Sequence, residues 1–152
     1  MPAEGCLSET ESKAAAPTVL VVDDHPDVRA SVIQLIEQRI PGCDILEADS
    51  AEEALSLFDV TQPAAIVLDI RLPGIDGIEL ARQVRRRAPH TRVVIHTADD
   101  LPIYREAAAE AGVAAFICKG RDSRQLADIL SHLVQRATTS PPLPAKNSLQ
   151  NT

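Results

Sequence analysis

Aromatic residues are nearly absent from this chain. Only 2% of its 152 residues are Phe, Tyr or Trp, and Trp does not occur at all. The hydrophobic fraction of 45% still allows one ordinary domain to build a core, which must consist mainly of Val, Leu, Ile and Ala. Because single-stranded nucleic acids are usually bound by stacking their bases on aromatic side chains, this composition disfavours that kind of site.

Positive charge is also in short supply. The chain carries 15 Lys and Arg residues against 22 Asp and Glu residues, which gives a net charge of −7. Such a chain repels the phosphate backbone of a nucleic acid. The basic run Arg85-Arg86-Arg87 ends a predicted helix, where cations interact favourably with the helix dipole. We therefore predict no direct nucleic-acid binding.

Long apolar segments and a cysteine framework are lacking as well. No stretch approaches the length of a transmembrane helix, and the first residues lack the basic and then apolar order of a signal peptide. The three cysteines, Cys6, Cys43 and Cys118, are odd in number and lie in a predicted tail and two predicted strands, so disulfides are not indicated. These features predict a cytoplasmic protein that does not contact a membrane.

Four short apolar runs are the main positive signal. They are rich in β-branched residues, each is followed by a helical pattern, and they lie at 19–22, 65–68, 93–96 and 115–118. This pattern is typical of buried parallel strands that alternate with helices. A fifth strand is predicted at 43–48, and the strand–helix pattern, repeated five times, predicts a doubly wound α/β sandwich.

Polar side chains stand where these runs end. Carboxylates, a hydroxyl and an ammonium group follow or close the four strands, at Asp23, Asp24, Asp69, Thr97 and Lys119. Because parallel strands have their carboxyl ends at the same edge of a sheet, we expect these groups to converge on one shallow cleft. Three acids, a hydroxyl and an ammonium in one cleft predict a site for a divalent cation and a phosphoryl group.

Capping residues and breakers predict where several helices begin and end. Asp49 or Ser50 is expected to cap the second helix, because Asp and Ser side chains accept hydrogen bonds from the first helical N–H groups. Gly112 is expected to end the fourth helix, since glycine tolerates the left-handed conformation found there. Asp122 or Ser123 is expected to cap the fifth helix.

The two ends of the chain show no apolar periodicity. Residues 1–17 are small and polar, and residues 138–152 are rich in Pro, Ser and Thr. Segments of this composition bury too little apolar surface to offset the entropy of ordering, so we predict a disordered tail at each end. The predicted globular domain is residues 18–137.

The motifs at the strand ends resemble a known family. They are Asp-Asp-His-Pro at 23–26, Leu-Asp-Ile-Arg-Leu-Pro-Gly-Ile-Asp-Gly-Ile-Glu-Leu at 68–80, Thr97 and Lys119. In this order they resemble the receiver domain of two-component response regulators, and most closely its NarL/FixJ-type branch, over about residues 17 to 137. The resemblance implies a flavodoxin-like (βα)5 fold with a five-stranded parallel sheet.

The resemblance also implies an acidic site that works with Mg²⁺. Asp69 would be the phosphoacceptor, attacking the phosphorus of a phosphohistidine. Asp24 and Asp69 would coordinate Mg²⁺ directly, Asp23 would reach it through water, and the backbone carbonyl of Arg71 would complete the protein ligands. Mg²⁺ suits such a site because it accepts a few oxygen ligands, keeps several waters and bridges to phosphate.

Three further roles are implied around that site. Lys119 would pair first with the acids and then with the phosphoryl oxygens, and Thr97 would donate its hydroxyl to the same group. Movement of Thr97 would leave space for Phe116, which is how receivers switch a partner-binding face. Read alone, Phe116 is better interpreted as an ordinary core residue, and only the family context brings the two interpretations close to even.

Several positions depart from the family or leave the interpretation open. Gly120 follows Lys119, where most receivers have proline. The side chain of Arg71 would either screen the acyl phosphate from water or pair with Asp99, and the sequence does not decide between these. His96 is interpreted as a satisfied structural histidine on the side of the strand opposite to Thr97.

No chemical role is predicted for His25 or Cys118. His25 precedes Pro26 where a helix is predicted to begin, and it is interpreted as a helix-start residue and not as a phosphodonor. Cys118 lies at the end of a predicted buried strand, so we expect an inert thiol and not a redox switch.

The function implied is that of a stand-alone response regulator. It would take a phosphoryl group from a histidine kinase or a histidine phosphotransfer protein and present a changed surface to an unknown protein partner, catalysing only its own phosphorylation and dephosphorylation. One alternative is the receiver part of a NarL/FixJ-type transcription factor lacking its DNA-binding domain. Another is an aspartyl-phosphate phosphatase or phosphotransferase, but such enzymes need a second acid where Arg71 stands.

Overall fold

Within the residues that the structure describes, 16–120 and 123–139, five strands form one parallel sheet. In this computed structural model the strand order is β2-β1-β3-β4-β5, and all four pairings are parallel. The strands are β1 Thr18–Val22, β2 Asp44–Ala48, β3 Ala65–Leu68, β4 Arg92–Thr97 and β5 Ala115–Cys118. The helices that connect or follow them are α1 Pro26–Arg39, α2 Ala51–Thr61, α3 Gly77–Arg87, α4 Pro102–Ala111 and α5 Ser123–Thr139.

The predicted doubly wound, flavodoxin-like sandwich is confirmed. Alternate residues of each strand face opposite layers of helices, as the period of two in a strand requires. In β1, Leu20 and Val22 pack with α2, α3 and α4, whereas Val19 and Val21 pack with α1 and α5. Because the central strands are covered on both faces, their sequences are continuously apolar.

The first turn of α2 explains why that helix begins where it does. Ser50 is the N-cap residue, and its hydroxyl accepts a hydrogen bond from the backbone N of Glu53 at 3.2 Å. Glu53 reciprocates, since its carboxylate accepts from the backbone N of Asp49 at 3.0 Å. The Ser50 bond satisfies one of the N–H groups that a helix start leaves without partners, and the Glu53 bond fixes the residue that precedes the cap. Of the two predicted caps, Ser50 is therefore correct.

Other predicted boundaries are close to those observed. Gly112 ends α4 with a φ of 83°, as predicted, and its N–H group bonds the last carbonyls of the helix. The predicted β2 begins one residue too early, because Cys43 precedes the strand and Asp44 is its first residue. α4 begins at Pro102, and Leu101 is its N-cap residue.

Some predictions concern parts of the chain outside the described residues. They are the tails at 1–15 and 140–152, with Cys6, and the capping role of Asp122. Ser123, the alternative cap, is the first residue of α5. Over the described part of the chain, no helix has the length and apolar character needed to cross a membrane.

Candidate functional site

The carboxyl ends of the inner strands meet at one edge of the sheet. Val22 of β1 lies beside Leu68 of β3, and Leu68 lies beside Ile95 of β4 in the parallel register. The residues that follow these positions therefore emerge together. The structure brings Asp23, Asp24 and Asp69 together at this edge, and Lys119 contacts Asp23 and Asp69.

Lys119 joins the acids that follow two neighbouring strands. Its Nζ donates hydrogen bonds to Asp69 Oδ2 at 2.7 Å and to Asp23 Oδ2 at 2.9 Å. Both carboxylate side chains are only 4% exposed, so the ammonium supplies the positive charge that such burial requires. Burial by itself lowers the pKa of Lys119, but the hydrogen bonds to Asp69 and Asp23 outweigh it and raise that pKa above its ordinary value.

The acids also form a group that is able to hold a cation. One ligand atom each from Asp23, Asp24, His25 and Asp69 lie within 4.8 Å of one another. Three carboxylates against the single ammonium of Lys119 leave an excess of negative charge, and carboxylate oxygens are the ligands that Mg²⁺ prefers. Asp24 is also more exposed than the other two acids, which leaves the group open to solvent. The residues present therefore fit a Mg²⁺ ion.

The loop after β3 is held against the start of α3 by a glycine. The backbone N of Gly77 donates to the carbonyl of Ile70 at 2.8 Å. A Cβ atom at position 77 would lie 1.9 Å from the carbonyl oxygen of Asp69, far inside contact distance. Only glycine permits this approach, so Gly77 helps to fix the backbone that carries Asp69.

Arg71 connects two loops above the site. Its guanidinium pairs with Asp99, from Nη2 to Oδ1 at 3.2 Å and from Nε to Oδ2. The pair joins the loop after β3 to the loop after β4, and the Arg71 side chain is 73% exposed. Of the two interpretations left open for this side chain, pairing with Asp99 is the one observed.

Thr97 and Phe116 lie on neighbouring strands beside the acids. Thr97 is fully buried, and its hydroxyl accepts a hydrogen bond from the backbone N of Asp99 at 3.2 Å. Phe116 pairs in register with Ile95, two residues before Thr97. The guanidinium of Arg105 lies 4.6 Å from the centre of the Phe116 ring, a distance typical of a cation–π interaction. The same guanidinium pairs with Asp100 in the loop after Thr97.

The interpretation of His96 as a satisfied histidine is wrong. The residue is buried, with 5% exposure, and its Nε2 is the one buried side-chain nitrogen or oxygen in the described residues that has no hydrogen-bond partner. The alternation of residues along β4 predicts which face of the sheet a side chain lies on, but it does not show whether a hydrogen-bond partner is present on that face. Burial lowers the pKa of His96, and the nearby ammonium of Lys119 lowers it further.

Sequence reasoning missed the place of His25 in the acidic group. Its Nδ1 lies 3.1 Å from Asp23 Oδ1 and 3.1 Å from Asp24 Oδ1. His25 does begin α1, as its N-cap residue, but its side chain makes no capping hydrogen bond. The available signal was its position directly after two predicted metal-binding acids.

Comparison with known proteins extends these observations. The response regulator receiver domain family matches residues 19–131. The transcriptional activator protein ExaE of Pseudomonas putida is 36% identical over 104 residues, which cover 66% of this chain and 47% of that protein. The response regulator GacA of Pseudomonas aeruginosa is 33% identical over 103 residues, which cover 67% of this chain and 48% of that protein.

A longer match is found with a protein that has an enzymatic description. The cyclic di-GMP phosphodiesterase response regulator RpfG of Xanthomonas campestris pv. campestris is 33% identical over 136 residues, which cover 88% of this chain and 36% of that protein. The chain thus spans less than half the length of these three relatives.

Solved structures agree with the sequence matches. A LuxR-family two-component response regulator from Aurantimonas sp. SI85-9A1 has a TM-score of 0.73 and 34% identity, and the match covers 80% of this chain and 86% of that one. The NarL signal receiver domain from Mycobacterium tuberculosis has a TM-score of 0.72 and 30% identity, with coverage of 79% and 97%. Since the family match takes in all five strands, apart from the first residue of β1, and the acids at their ends, the chain belongs to the response regulator receiver domain family of two-component signalling.

Proposed function

We propose that Asp69 accepts a phosphoryl group in a Mg²⁺-dependent reaction and that the change switches a partner-binding surface. The donor would be a histidine kinase or a histidine phosphotransfer protein, the partners with which receiver domains interact. The observation that carries the proposal is the placement of Lys119 Nζ between the carboxylates of Asp69 and Asp23, at 2.7 Å and 2.9 Å. The carboxylate of Asp69 as nucleophile, the carboxylate of Asp23 and the ammonium of Lys119 thus lie side by side at the edge of the sheet where the strands end.

The transfer itself requires one bond to form and one to break. An oxygen of Asp69 attacks the phosphorus of phosphohistidine, the P–N bond breaks, and its electron pair returns to the imidazole nitrogen of the donor. Lys119 offsets the negative charge on the phosphoryl oxygens, and Thr97 donates its hydroxyl to one of them.

Four residues would hold the cation. Asp24 and Asp69 would be direct ligands, Asp23 would act through water, and Arg71 would contribute its backbone carbonyl. When bound, Mg²⁺ neutralises charge on the acids and on the phosphoryl oxygens. The backbone N of Arg71 donates a hydrogen bond to Asp69 Oδ1 at 3.4 Å, so the backbone at Arg71 lies next to the acceptor carboxylate.

Switching would begin at Thr97. To reach a phosphoryl group on Asp69, its hydroxyl must leave the backbone N of Asp99, from which it now accepts a hydrogen bond. The space released would be available to Phe116, whose ring is at present covered by Arg105. Contacts made only in the phosphorylated state would thus shift the population between two packings.

The test is phosphorylation by acetyl phosphate and Mg²⁺, followed by intact mass. The wild-type protein should gain one phosphoryl group and Asp69→Asn should gain none. Asp44→Asn is the matched control, because Asp44 starts β2 at the opposite edge of the sheet and should not affect the yield. Undiminished phosphorylation of Asp69→Asn would disprove the assignment of the acceptor.

A second candidate is the receiver part of a NarL/FixJ-type transcription factor. It is favoured by the coverage of the relatives, since the chain spans 47% of a protein described as a transcriptional activator. The stand-alone function and this alternative share the same chemistry and differ in output. The intact mass of the protein purified from its native cells distinguishes them, because a fused DNA-binding domain would add to the mass of 16.3 kDa.

An aspartyl-phosphate phosphatase or phosphotransferase is the least supported alternative. The place of a second catalytic acid, two residues after Asp69, is occupied by Arg71, and its guanidinium is committed to Asp99. We propose that the chain catalyses only its own phosphorylation and dephosphorylation.

A further inference from the structure

His25 adds a nitrogen atom to a group that would otherwise offer only oxygen. We propose that His25 is a metal ligand through Nδ1, and that the site binds a first-row transition-metal dication with the carboxylates of Asp23, Asp24 and Asp69. This inference rests on the proposed function, since it concerns the same metal site. It goes further in assigning a ligand that an oxygen-only Mg²⁺ site does not contain.

The spacing of the atoms supports coordination. His25 Nδ1 lies 3.1 Å from an oxygen of Asp23 and 3.1 Å from an oxygen of Asp24. Ligand bonds of about 2.1 Å to a transition metal place neighbouring octahedral ligands about 3.0 Å apart and opposite ones about 4.2 Å apart. The four ligand atoms of the group all lie within 4.8 Å of one another, so a small adjustment brings them to one ion.

Neither capping nor packing accounts for the position of the His25 side chain, whose Nδ1 lies at hydrogen-bond distance from Asp23 Oδ1. It does not cap α1, although His25 is the N-cap residue of that helix. The local turn is held by the backbone N of His25, which donates to Asp23 Oδ1 at 2.9 Å. The side chain is 63% exposed, so packing does not hold it either. Its described polar contacts are with the two acids that follow β1.

The chemistry of imidazole predicts which metals gain from His25. Imidazole suits Zn²⁺, Cu²⁺ and Ni²⁺, whereas Mg²⁺ binds carboxylate, carbonyl and water oxygens. Carboxylates alone already bind transition-metal ions more tightly than they bind Mg²⁺, and their affinities for these metals follow the usual order for divalent ions. His25 is therefore expected to increase the preference for a transition-metal ion over Mg²⁺ beyond what the carboxylates provide.

Calorimetric titration with Co²⁺ and with Mg²⁺ tests the proposal on the full chain. His25→Ala should lower the ratio of Co²⁺ affinity to Mg²⁺ affinity by about tenfold or more, since loss of a group that only supports a ligand already costs about 10- to 100-fold. His25→Gln, which keeps a polar side chain, should lower the ratio as well. His132→Ala is the matched control, because His132 is exposed on α5, and it should leave the ratio unchanged.

Proton NMR of the Co²⁺-loaded protein gives a second readout. A coordinated imidazole should produce a strongly shifted exchangeable proton, present in the wild type and in His132→Ala and absent in His25→Ala. An unchanged affinity ratio in His25→Ala, or the same shifted proton in that variant, would overturn the proposal, as would failure of the wild type to bind Co²⁺. Mg²⁺-dependent phosphorylation of the wild type by acetyl phosphate tests the proposed function separately, and its success would leave only the role of His25 refuted.

Discussion

At the scale of single residues, His96 is a buried polar side chain with an unsatisfied nitrogen atom. Its Nε2 is buried without a hydrogen-bond partner, on the strand that ends at Thr97. A buried polar atom without a partner costs about 1–3 kcal/mol relative to a satisfied one. Protonation would be worse, because the charge would be buried near the ammonium of Lys119.

This burial predicts a pH-dependent stability. The pKa of His96 is lowered in the folded state, so below about pH 6.5 the unfolded chain takes up the proton first and the free energy of unfolding falls. The carboxylates of Asp23 and Asp69 oppose this shift without reversing it. The slope for one proton approaches about 1.4 kcal/mol per pH unit. His96→Leu should lose this component and be at least as stable as the wild type at pH 5.5.

Urea denaturation at pH 7.5 and pH 5.5 measures the effect. The difference between the wild type and His96→Leu isolates the contribution of one histidine from that of the many carboxylates. His132→Gln, an exposed substitution on α5, should follow the wild type at both pH values. Equal pH dependence in the wild type and His96→Leu would contradict the prediction.

At the scale of elements, the junction of β3 and α3 determines where the acceptor stands. Gly77→Ala places a Cβ atom 1.9 Å from the carbonyl oxygen of Asp69, so either the helix or the acceptor must move. We expect a loss of about 3 kcal/mol or more in the free energy of unfolding, the upper range for overpacking, together with weaker phosphorylation. Denaturation and intact mass after acetyl phosphate treatment measure the two effects.

A second glycine provides the control for Gly77. Gly42 has a φ of 84° with no atom within 4 Å of an added Cβ, so Gly42→Ala introduces backbone strain without a clash. It should cost about 1–2 kcal/mol and leave phosphorylation intact, since it lies between α1 and β2, away from the acids. Equal loss of phosphorylation in the two variants would show that the contact at Gly77 does not position Asp69.

The pair between Arg71 and Asp99 connects the loops that follow β3 and β4. Arg71→Ala should retain phosphorylation, because the backbone carbonyl proposed for the metal remains. The phosphoryl group should be lost several-fold faster, because without the pair the two loops no longer hold each other over the site and water gains access. Asp99→Asn breaks the same pair from the other loop and should act in the same direction. Arg86→Ala, an exposed arginine of α3, is the control. The rate is followed by intact mass over time, and absence of phosphorylation in Arg71→Ala would refute the prediction.

At the scale of the whole molecule, a cation at the sheet edge should stabilise the fold. An ion that binds only the folded state at 100 times its dissociation constant adds about 2.7 kcal/mol to the free energy of unfolding. This gain, measured by urea denaturation with Mg²⁺ and with EDTA, should nearly vanish in Asp24→Asn and be reduced less in Asp23→Asn. Asp44→Asn should keep the full gain. An undiminished gain in Asp24→Asn would count against a direct Mg²⁺ ligand at that position.

The features that could be predicted from the sequence are those set by burial on both faces of the sheet. Continuous apolar runs identified the inner strands, and the parallel order then required Asp69 and Lys119 to emerge at one edge. The start of β2 was placed one residue too early, at Cys43. This strand lies at the edge of the sheet and is only partly buried, and its exposed first residue, Asp44, gives no apolar signal that marks where it begins.

What sequence reasoning could not supply depends on which distant groups meet. The missing partner of His96 is a property of the surrounding packing, not of β4 alone. Whether Arg71 pairs with Asp99 depends on how close the loops after β3 and β4 lie in the fold, and the two residues are 28 positions apart in the chain. His25 was assigned to the helix start, and only the folded geometry directs its imidazole to two acids.

The scarcity of aromatic residues has a practical consequence for observing this molecule. The chain has no Trp and one Tyr, and that residue, Tyr104, lies in the first turns of α4, partly buried against the core. Its fluorescence is therefore not obscured by indole emission and comes from a single position. Because α4 also carries Arg105, whose guanidinium covers the Phe116 ring, ultraviolet emission from the unlabelled protein reports on a helix that contacts the proposed switch.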